Sequence, residues 1–470
     1  MLFRSIRHSD ITRGGTLELV MGPEPNHEWA AGEGARPPSM SDPVDRSQMA
    51  ERVKADFRHA WDGYVRYAWG HDQLRPLSHR YRDWYDSTSL YMTPVDAFDT
   101  ALLMGLTDEA QAAKGIVLDS LSFDRDITVQ VFEMTIRLLG GLLSAYQLDG
   151  DPGFLSLATD LGERMLPAFE SATGMPYVRV NLKTGARSEP VNNPAEIGTL
   201  MLEFGTLSKL TGDNRFYEAA KRGVQAVYAR RSPIGLVGET IDVETGEWRN
   251  TESHIGARID SYYEYLLKAA LLFDDEDFRD MYETSIAAVN RYIADERNNG
   301  LWYGQVDMNT GERTGTRFGA LEAFLPAVLA LGGDLDRAER LMESVYLMWT
   351  TWDIEPEVMD YATMEVRYPS YVLRPEALES AYYLYRLTGN SRYLAMGQTM
   401  FESIERWTRT PDAFAALRSV VTKEQADDLE SFFFAETLKY AYLLFAPPET
   451  LDLHAIVFNT EAHPLRATWR

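Results

Sequence analysis

Cysteine is absent from all 470 residues. Disulfides, thiolate nucleophiles and cysteine-ligated zinc or iron–sulfur sites are therefore excluded together. Positive charge is scarce: 46 Lys and Arg stand against 71 Asp and Glu, for a formal charge of −25. No broad basic surface can form, which argues against nucleic acid or an anionic membrane as a partner. No stretch approaches the ~18 to 20 apolar residues of a membrane span. The eight histidines form no HExxH pattern. The N-terminal stretch "MLFRSIRHSDITRGGTLELVMG" carries basic residues but no continuous apolar run of the kind a secretory signal needs, so a cytoplasmic address is the default expectation, with a periplasmic or secreted one left open. Residues 1–46 mix Gly, Pro, Ser and charge and read as a flexible leader. The remainder, 47–470, reads as one domain.

With 45% hydrophobic residues, what is present can bury a large core. After the opening helix "SQMAERVKADFRHAWDGYVRYAW", one type of segment returns: an aromatic-rich apolar helix, a Gly/Asp/Asn stop, then an amphipathic helix. The stops are "GLTDEA", "QLDGDPGF", "KLTGDNRFY", "LLFDDEDF", "ALGGDLD", "RLTGNSRY" and "LLFAPPET". Beyond a short first interval they fall roughly 56 to 62 residues apart, the mark of a repeat architecture. Helices such as "TLMLEFGTLSKL" are apolar all round and need cover on every side, whereas "DRAERLMESVYLMW" carries charge on one face. This predicts an inner and an outer ring. The N-terminal helix supplies the partner that the seventh inner helix lacks, closing an all-α (α/α)7 toroid. An open superhelical solenoid is the alternative. Three connections, "YVRVNLKTGARSEP", "ETIDVETGEWRN" and "YGQVDMNTGERTG", lead Asn181, Asp242 and Asp307 into Thr-Gly and predict small β-hairpins on one rim.

Inner helices tend to begin with acids: Asp96 and Asp99, Glu133, Glu196, Asp260, Glu322, Glu376 and Glu379, and Glu436. A helix N-terminus favours an anion by ~0.3 to 1 kcal/mol, which suffices for any one of them. In a toroid whose inner helices run the same way, however, the starts surround one opening. Burial and mutual repulsion then raise some carboxyl pKa values by up to 3 to 5 units, so that some acids stay protonated while others ionise, as general acid and base require. Tyr262, Tyr263, Tyr371, Phe432 and Phe433 sit among them. Acids and aromatic platforms around one cavity point to carbohydrate chemistry. Arg137, Arg258 and Arg374 accompany the acids, either neutralising them or donating to sugar hydroxyls. The tail "HAIVFNTEAHPLRATWR" reads as strand, turn and no further helix, and the barrel's hole is one place for it to pack. Thr460 and Glu461 would then offer oxygen to a hard cation such as Ca²⁺; an ordinary turn is the plainer reading.

These motifs together resemble glycoside hydrolase family 47, the class I α-mannosidases. The resemblance runs from "HAWDGYVRYAWGHDQLRPLS" through "VDAFDTALLMGL", "VFEMTIRLLGGLLSAYQLDGD", "ARIDSYYEYLLK", "YVLRPEALESAYYLYRLTGN" and "SFFFAETLKYAYLLF" to "VFNTEAHPL". It implies an (α/α)7 barrel, with a C-terminal hairpin plugging it, that removes terminal α-1,2-linked mannose with inversion and depends on Ca²⁺. By the resemblance, Glu133 matches the general acid, acting through a water, and Glu376 the general base. Asp260 matches a third catalytic carboxylate, and Thr460 the residue that binds Ca²⁺ through its hydroxyl and carbonyl. Arg137, Arg258, Arg374, Glu379, Phe432, Glu436 and Glu461 match positions around the sugar or the ion. The implied partner is a mannose-containing glycan, and the implied state a monomer.

Three positions depart from the family pattern: Ile259 where glycine is expected, Gln73 where glutamate is usual, and Ala320 near an expected histidine. The absent disulfide and anchor make the chain similar to a bacterial member, so a role in N-glycan trimming does not carry over. A mannoside-binding protein without turnover, or a scaffold using the toroid surface, are the other classes the sequence leaves open.

Overall fold

The structure is a computed structural model that describes residues 44–85 and 88–469. Residues 1–43 of the expected leader lie outside the described residues. Among those described, fourteen helices form two concentric rings with small antiparallel sheets on the connections. The outer helices are α1 (Arg46–Ala68), α3 (Thr107–Ser120), α5 (Pro152–Met165), α7 (Asn214–Ala229), α9 (Glu276–Ala288), α11 (Leu335–Trp352) and α13 (Arg392–Thr408). The inner ones are α2 (Met92–Met104), α4 (131–149), α6 (194–211), α8 (Asp260–Phe273), α10 (321–331), α12 (Glu376–Thr388) and α14 (433–445). Helix α6 is broken between Gly198 and Met201.

Two kinds of residue recur at the stops. Gly105, Gly150, Gly212 and Gly389 end inner helices in the left-handed conformation, and Asp274 does so after α8. Asp151, Asp213, Asp275 and Asp334 then cap the next helix by accepting from Gly153, Arg215, Asp277 and Arg337 N–H groups. The two stand together at Gly150–Asp151 and Gly212–Asp213, and Asp274–Asp275 serves likewise, turning the chain from the inner to the outer ring. Burial follows the predicted division: α8 is buried at almost every position, whereas α7 buries Phe216, Ala219, Ala220, Gly223, Val224 and Val227 on one stripe.

Successive inner helices pack side by side, and α14 packs against α2 to complete the circle. Helix α1 pairs with α14, bonding Arg46 to the Ala446 carbonyl and setting Phe57 edge-on to Phe434, 5.4 Å between centroids. The (α/α)7 toroid is thus closed and the open solenoid is not formed. The hairpins at Asn181, Asp242 and Asp307 form as expected: each side chain accepts two backbone N–H groups within its turn, and Gly185, Gly246 and Gly311 take positive φ. A fourth hairpin, Val358–Asp360 with Glu365–Tyr368, escapes sequence reading because Met364 holds the positive-φ position where the others have glycine.

The tail closes one end of the barrel. Ile456–Phe458 pairs antiparallel with Pro464–Arg466, and the turn between them is tied to four helices. His463 bonds Asp99 (2.7 Å) and Asp96 (3.1 Å) of α2, Lys439 of α14 bonds the Ala462 carbonyl (2.6 Å), and Asn459 bonds the Ile136 carbonyl of α4 (2.9 Å) and Glu203 of α6 (2.8 Å).

Candidate active site

A cavity enclosing about 320 Å³, its open mouth included, lies above this plug. It is lined by Asp260, Ser261 and Glu264 of α8, Leu321 and Phe324 of α10, Glu376 and Glu379 of α12, Glu436 of α14, and Thr460 of the plug turn. Helix geometry explains the grouping. Asp260 and Glu264 are four residues apart and Glu376 and Glu379 three, so each pair shares one face near a helix start. Glu436 sits in a wide π-helical turn, Phe433–Thr437, of the type that clusters at functional sites. The segments entering α8 and α12 are strained. Arg258 (φ 77°) and Leu373 (φ 65°) hold left-handed conformations that cost a non-glycine residue ~1 to 2 kcal/mol each.

The cavity is acidic beyond what its cations offset. The Lys268 ammonium bonds Glu264 and stands 3.8 Å from Glu379. Burial nevertheless pushes Glu379 up to about 8, with Lys268 opposing and Glu264 and Glu376 adding to the rise. Burial likewise takes Glu322 up to about 7, helped by Asp260. Glu355, wholly buried, is driven well above the usual carboxylate range by burial and then by Glu376 and Glu357, against the pull of Arg374.

Arg374 grips Glu357 with two bonds, Nε to Oε1 at 2.7 Å and Nη2 to Oε2 at 2.8 Å, and its guanidinium faces Phe432 at 5.9 Å. It braces the cavity wall rather than lining it. Arg137, in the π-helical turn Met134–Leu139, does the same at the neighbouring position. It bonds Glu133 (2.9 Å), Ser431 (2.9 Å) and Glu461 (2.9 Å), lies 3.7 Å from Asp96 and 3.9 Å from Glu430, and stacks on Trp84 and Phe432. Those acids hold its guanidinium charged despite full burial.

Of the eleven residues singled out from the sequence, Asp260, Glu376, Glu379, Glu436 and Thr460 line the cavity directly. Glu133, Arg137 and Glu461 form a buried cluster outside the lining, with the Arg137 guanidinium over the Phe432 ring, and Arg374 faces the same ring. Arg258 stands partly exposed, 3.3 Å from Glu239. Sequence reading missed Ser261, Glu264, Leu321 and Phe324 in the lining and Glu355 and Glu357 in the wall. Glu264 was legible as the i+4 neighbour of Asp260. Glu355 and Glu357 come from the connection between α11 and α12, which carries no helical period. One departure has a local consequence: Gln73 donates its amide to Glu430 (2.7 Å), a contact a carboxylate would make repulsive.

The donor set suits a hard cation. Every polar group lining the cavity is an oxygen, and its clustered carboxylates present the negative charge that a divalent ion offsets. Among the described residues no three Asp, Glu or His side chains converge to ligate a metal. Thr460, Glu264, Glu379 and Glu436 are the oxygen-bearing residues of the lining that could face such a cation.

A toroid of helical hairpins with carboxylates gathered at one closed-ended cavity is the build of a glycoside hydrolase. The chain matches the family model for glycosyl hydrolase family 47 over residues 56–467 and belongs to that family. It is similar to Alpha-mannosidase I MNS5 of Arabidopsis thaliana, at 37% identity over 92% of this chain and 79% of the relative. It is also similar to the human Endoplasmic reticulum mannosyl-oligosaccharide 1,2-alpha-mannosidase, at 37% identity over 90% of this chain and 64% of the relative. Among solved structures, the alpha-1,2-mannosidase from Trichoderma reesei superposes with a TM-score of 0.83 at 29% identity, covering 90% of this chain and 99% of that one. The cytoplasmic expectation is overturned by such relatives, one of which is named for the endoplasmic reticulum. That expectation rested only on an N-terminal stretch lacking an apolar run, which is weaker ground than family membership. No helix among the described residues is long and apolar enough to cross a membrane.

Proposed function

We propose that the protein is a Ca²⁺-dependent, inverting exo-α-1,2-mannosidase that removes terminal mannose from an oligosaccharide. The observation that carries this is the small oxygen-lined cavity in which Asp260, Glu376, Glu379 and Glu436 meet Thr460. All its groups come from one chain, so a monomer suffices.

In this reading Glu376 takes the proton of the attacking water. Glu133, paired with Arg137 and outside the lining, supplies the proton for the leaving oxygen through an intervening water, and Asp260 holds the sugar and that water in line. Inversion needs the acid and base about 6.5 to 9.5 Å apart so that a water fits between base and sugar. Arg137 and Arg374 keep their carboxylate partners oriented, and Phe432, Glu379, Glu436 and Glu461 shape the sugar's surroundings. Arg258, two residues before Asp260, would meet the next sugar of the chain. Thr460 would hold Ca²⁺ through its hydroxyl and carbonyl. The ion, when bound, supplies positive charge that fixes and polarises sugar hydroxyls.

The test is hydrolysis of α-1,2-mannobiose before and after exhaustive chelation. Activity is expected to fall to background and to return with Ca²⁺. Full activity without the ion would contradict the metal assignment, and mannoside binding with no turnover under any condition would favour a binding protein of the same fold.

A further inference from the structure

Thr460 sits on a turn, yet the cavity floor demands that its oxygens be held in one place. Three segments distant in sequence converge beneath it. Glu203, in the second part of α6, is fully buried. Its Oε1 accepts from the Tyr265 hydroxyl at 2.6 Å and from the Asn459 amide at 2.8 Å. Tyr265, buried in α8, accepts in turn from the Thr460 backbone N–H at 3.1 Å. Asn459 uses its amide oxygen to receive the Glu461 N–H (3.0 Å) and the His463 N–H (2.8 Å), which closes the turn around Thr460.

We infer that Glu203 and Tyr265 form a buried relay that seats Thr460, and so set how tightly the cavity holds a divalent cation. Neither residue lines the cavity, so both are positioning residues.

A purely structural role accounts poorly for the choice of glutamate. The second oxygen, Oε2, is buried with no hydrogen-bond partner among the described residues. A buried carboxyl with an unused oxygen is destabilising, and an apolar side chain of like size would serve packing better. Burial pushes this carboxyl up to about 7 even with Tyr265 and Asn459 bonding to it. What glutamate offers at this position is one oxygen accepting from two donors, one on α8 and one on the plug turn, so that helix and turn cannot slide relative to each other. Partners of this kind, standing behind a metal ligand, typically govern affinity by 10- to 100-fold.

The inference rests on the proposed Ca²⁺ site, and the experiment separates the two. Ca²⁺ binding to the chelated full chain is measured by calorimetry, with thermal unfolding of the same metal-free samples as the control for folding. Tyr265→Phe keeps the ring and removes the hydroxyl; it is expected to bind Ca²⁺ about 10- to 100-fold more weakly, with metal-free melting close to that of the parent. Glu203→Ala is expected to weaken binding likewise, because the phenol loses its acceptor, and Glu203→Gln to restore most of the affinity. Turnover at saturating Ca²⁺ is expected to recover in Tyr265→Phe. Parent-like affinity in Tyr265→Phe, or in Glu203→Ala should the phenylalanine variant not fold, overturns the relay. Absence of Ca²⁺ binding by the parent chain overturns the metal site instead, a different result.

Discussion

Arg137 meets four carboxylates within 4 Å, those of Glu133, Glu461, Asp96 and Glu430, while buried between Trp84 and Phe432. Removing one partner of a buried ionic cluster leaves the rest uncompensated, a penalty of roughly 3 to 5 kcal/mol. Arg137→Met is therefore expected to lose about that much stability in urea titration, and a change below about 1 kcal/mol would show that the cluster relaxes freely. Glu376 is a more balanced case, with Glu355 and Glu379 opposing its negative charge and the Arg374 guanidinium favouring it. Glu376→Gln removes both effects, so the variant is expected to melt close to the parent. If Glu376 is the base, kcat drops about 10²- to 10⁴-fold while the mannoside still binds. Parent-like kcat would rule it out.

At the scale of elements, the repeated stops were legible because glycine and aspartate act locally: one ends a helix and the other starts the next, whatever the surrounding fold. The acids were harder. Asp96 and Asp99, grouped by sequence with the helix mouths, instead hold His463 and Lys439 at the plug. An inner helix is buried all round, so its pattern has no solvent side by which to tell the cavity from the floor. The same reason hid the split between Asp260, in the lining, and Glu133, in the Arg137 cluster outside it. The plug's fit is tight at Gly140 and Gly141 of α4. A methyl on Gly140 would press on the Asn459 amide, and one on Gly141 would lie 2.6 Å from Val95 and 3.3 Å from His463. Gly140→Ala is expected to lower stability by about 1 to 3 kcal/mol and to weaken Ca²⁺ binding by displacing the Thr460 turn. Denaturation and calorimetry on one sample check both, and an unchanged variant would mean that the turn is loosely held.

The whole molecule concentrates charge inside a ring, and that fixes the sign of its response to pH. Glu203 and Glu322 rise to about 7 and Glu379 to about 8, against an ordinary 4.5. Above 4.5 the unfolded chain sheds these protons first, so stability falls as pH climbs through 7 to 8. His463 rises to about 9 from an ordinary 6.5, because Asp99 and Asp96 outweigh its burial and the nearby Lys439. Its contribution is complete below 6.5 and lost as pH passes 9. Asp99 is held below the usual range, against its burial, by Lys439 and His463, and its contribution is lost only in strong acid. Metal-free protein is thus expected to melt progressively lower from pH 5 to pH 9 in scanning calorimetry, and a rise over that span would contradict the account. Under the proposed function, acids from separate hairpins meet to cleave one bond with inversion. Proton NMR during hydrolysis of α-1,2-mannobiose tests it most directly. β-Mannose appearing first, before mutarotation, is the predicted result; α-mannose appearing first, or no cleavage, would contradict it.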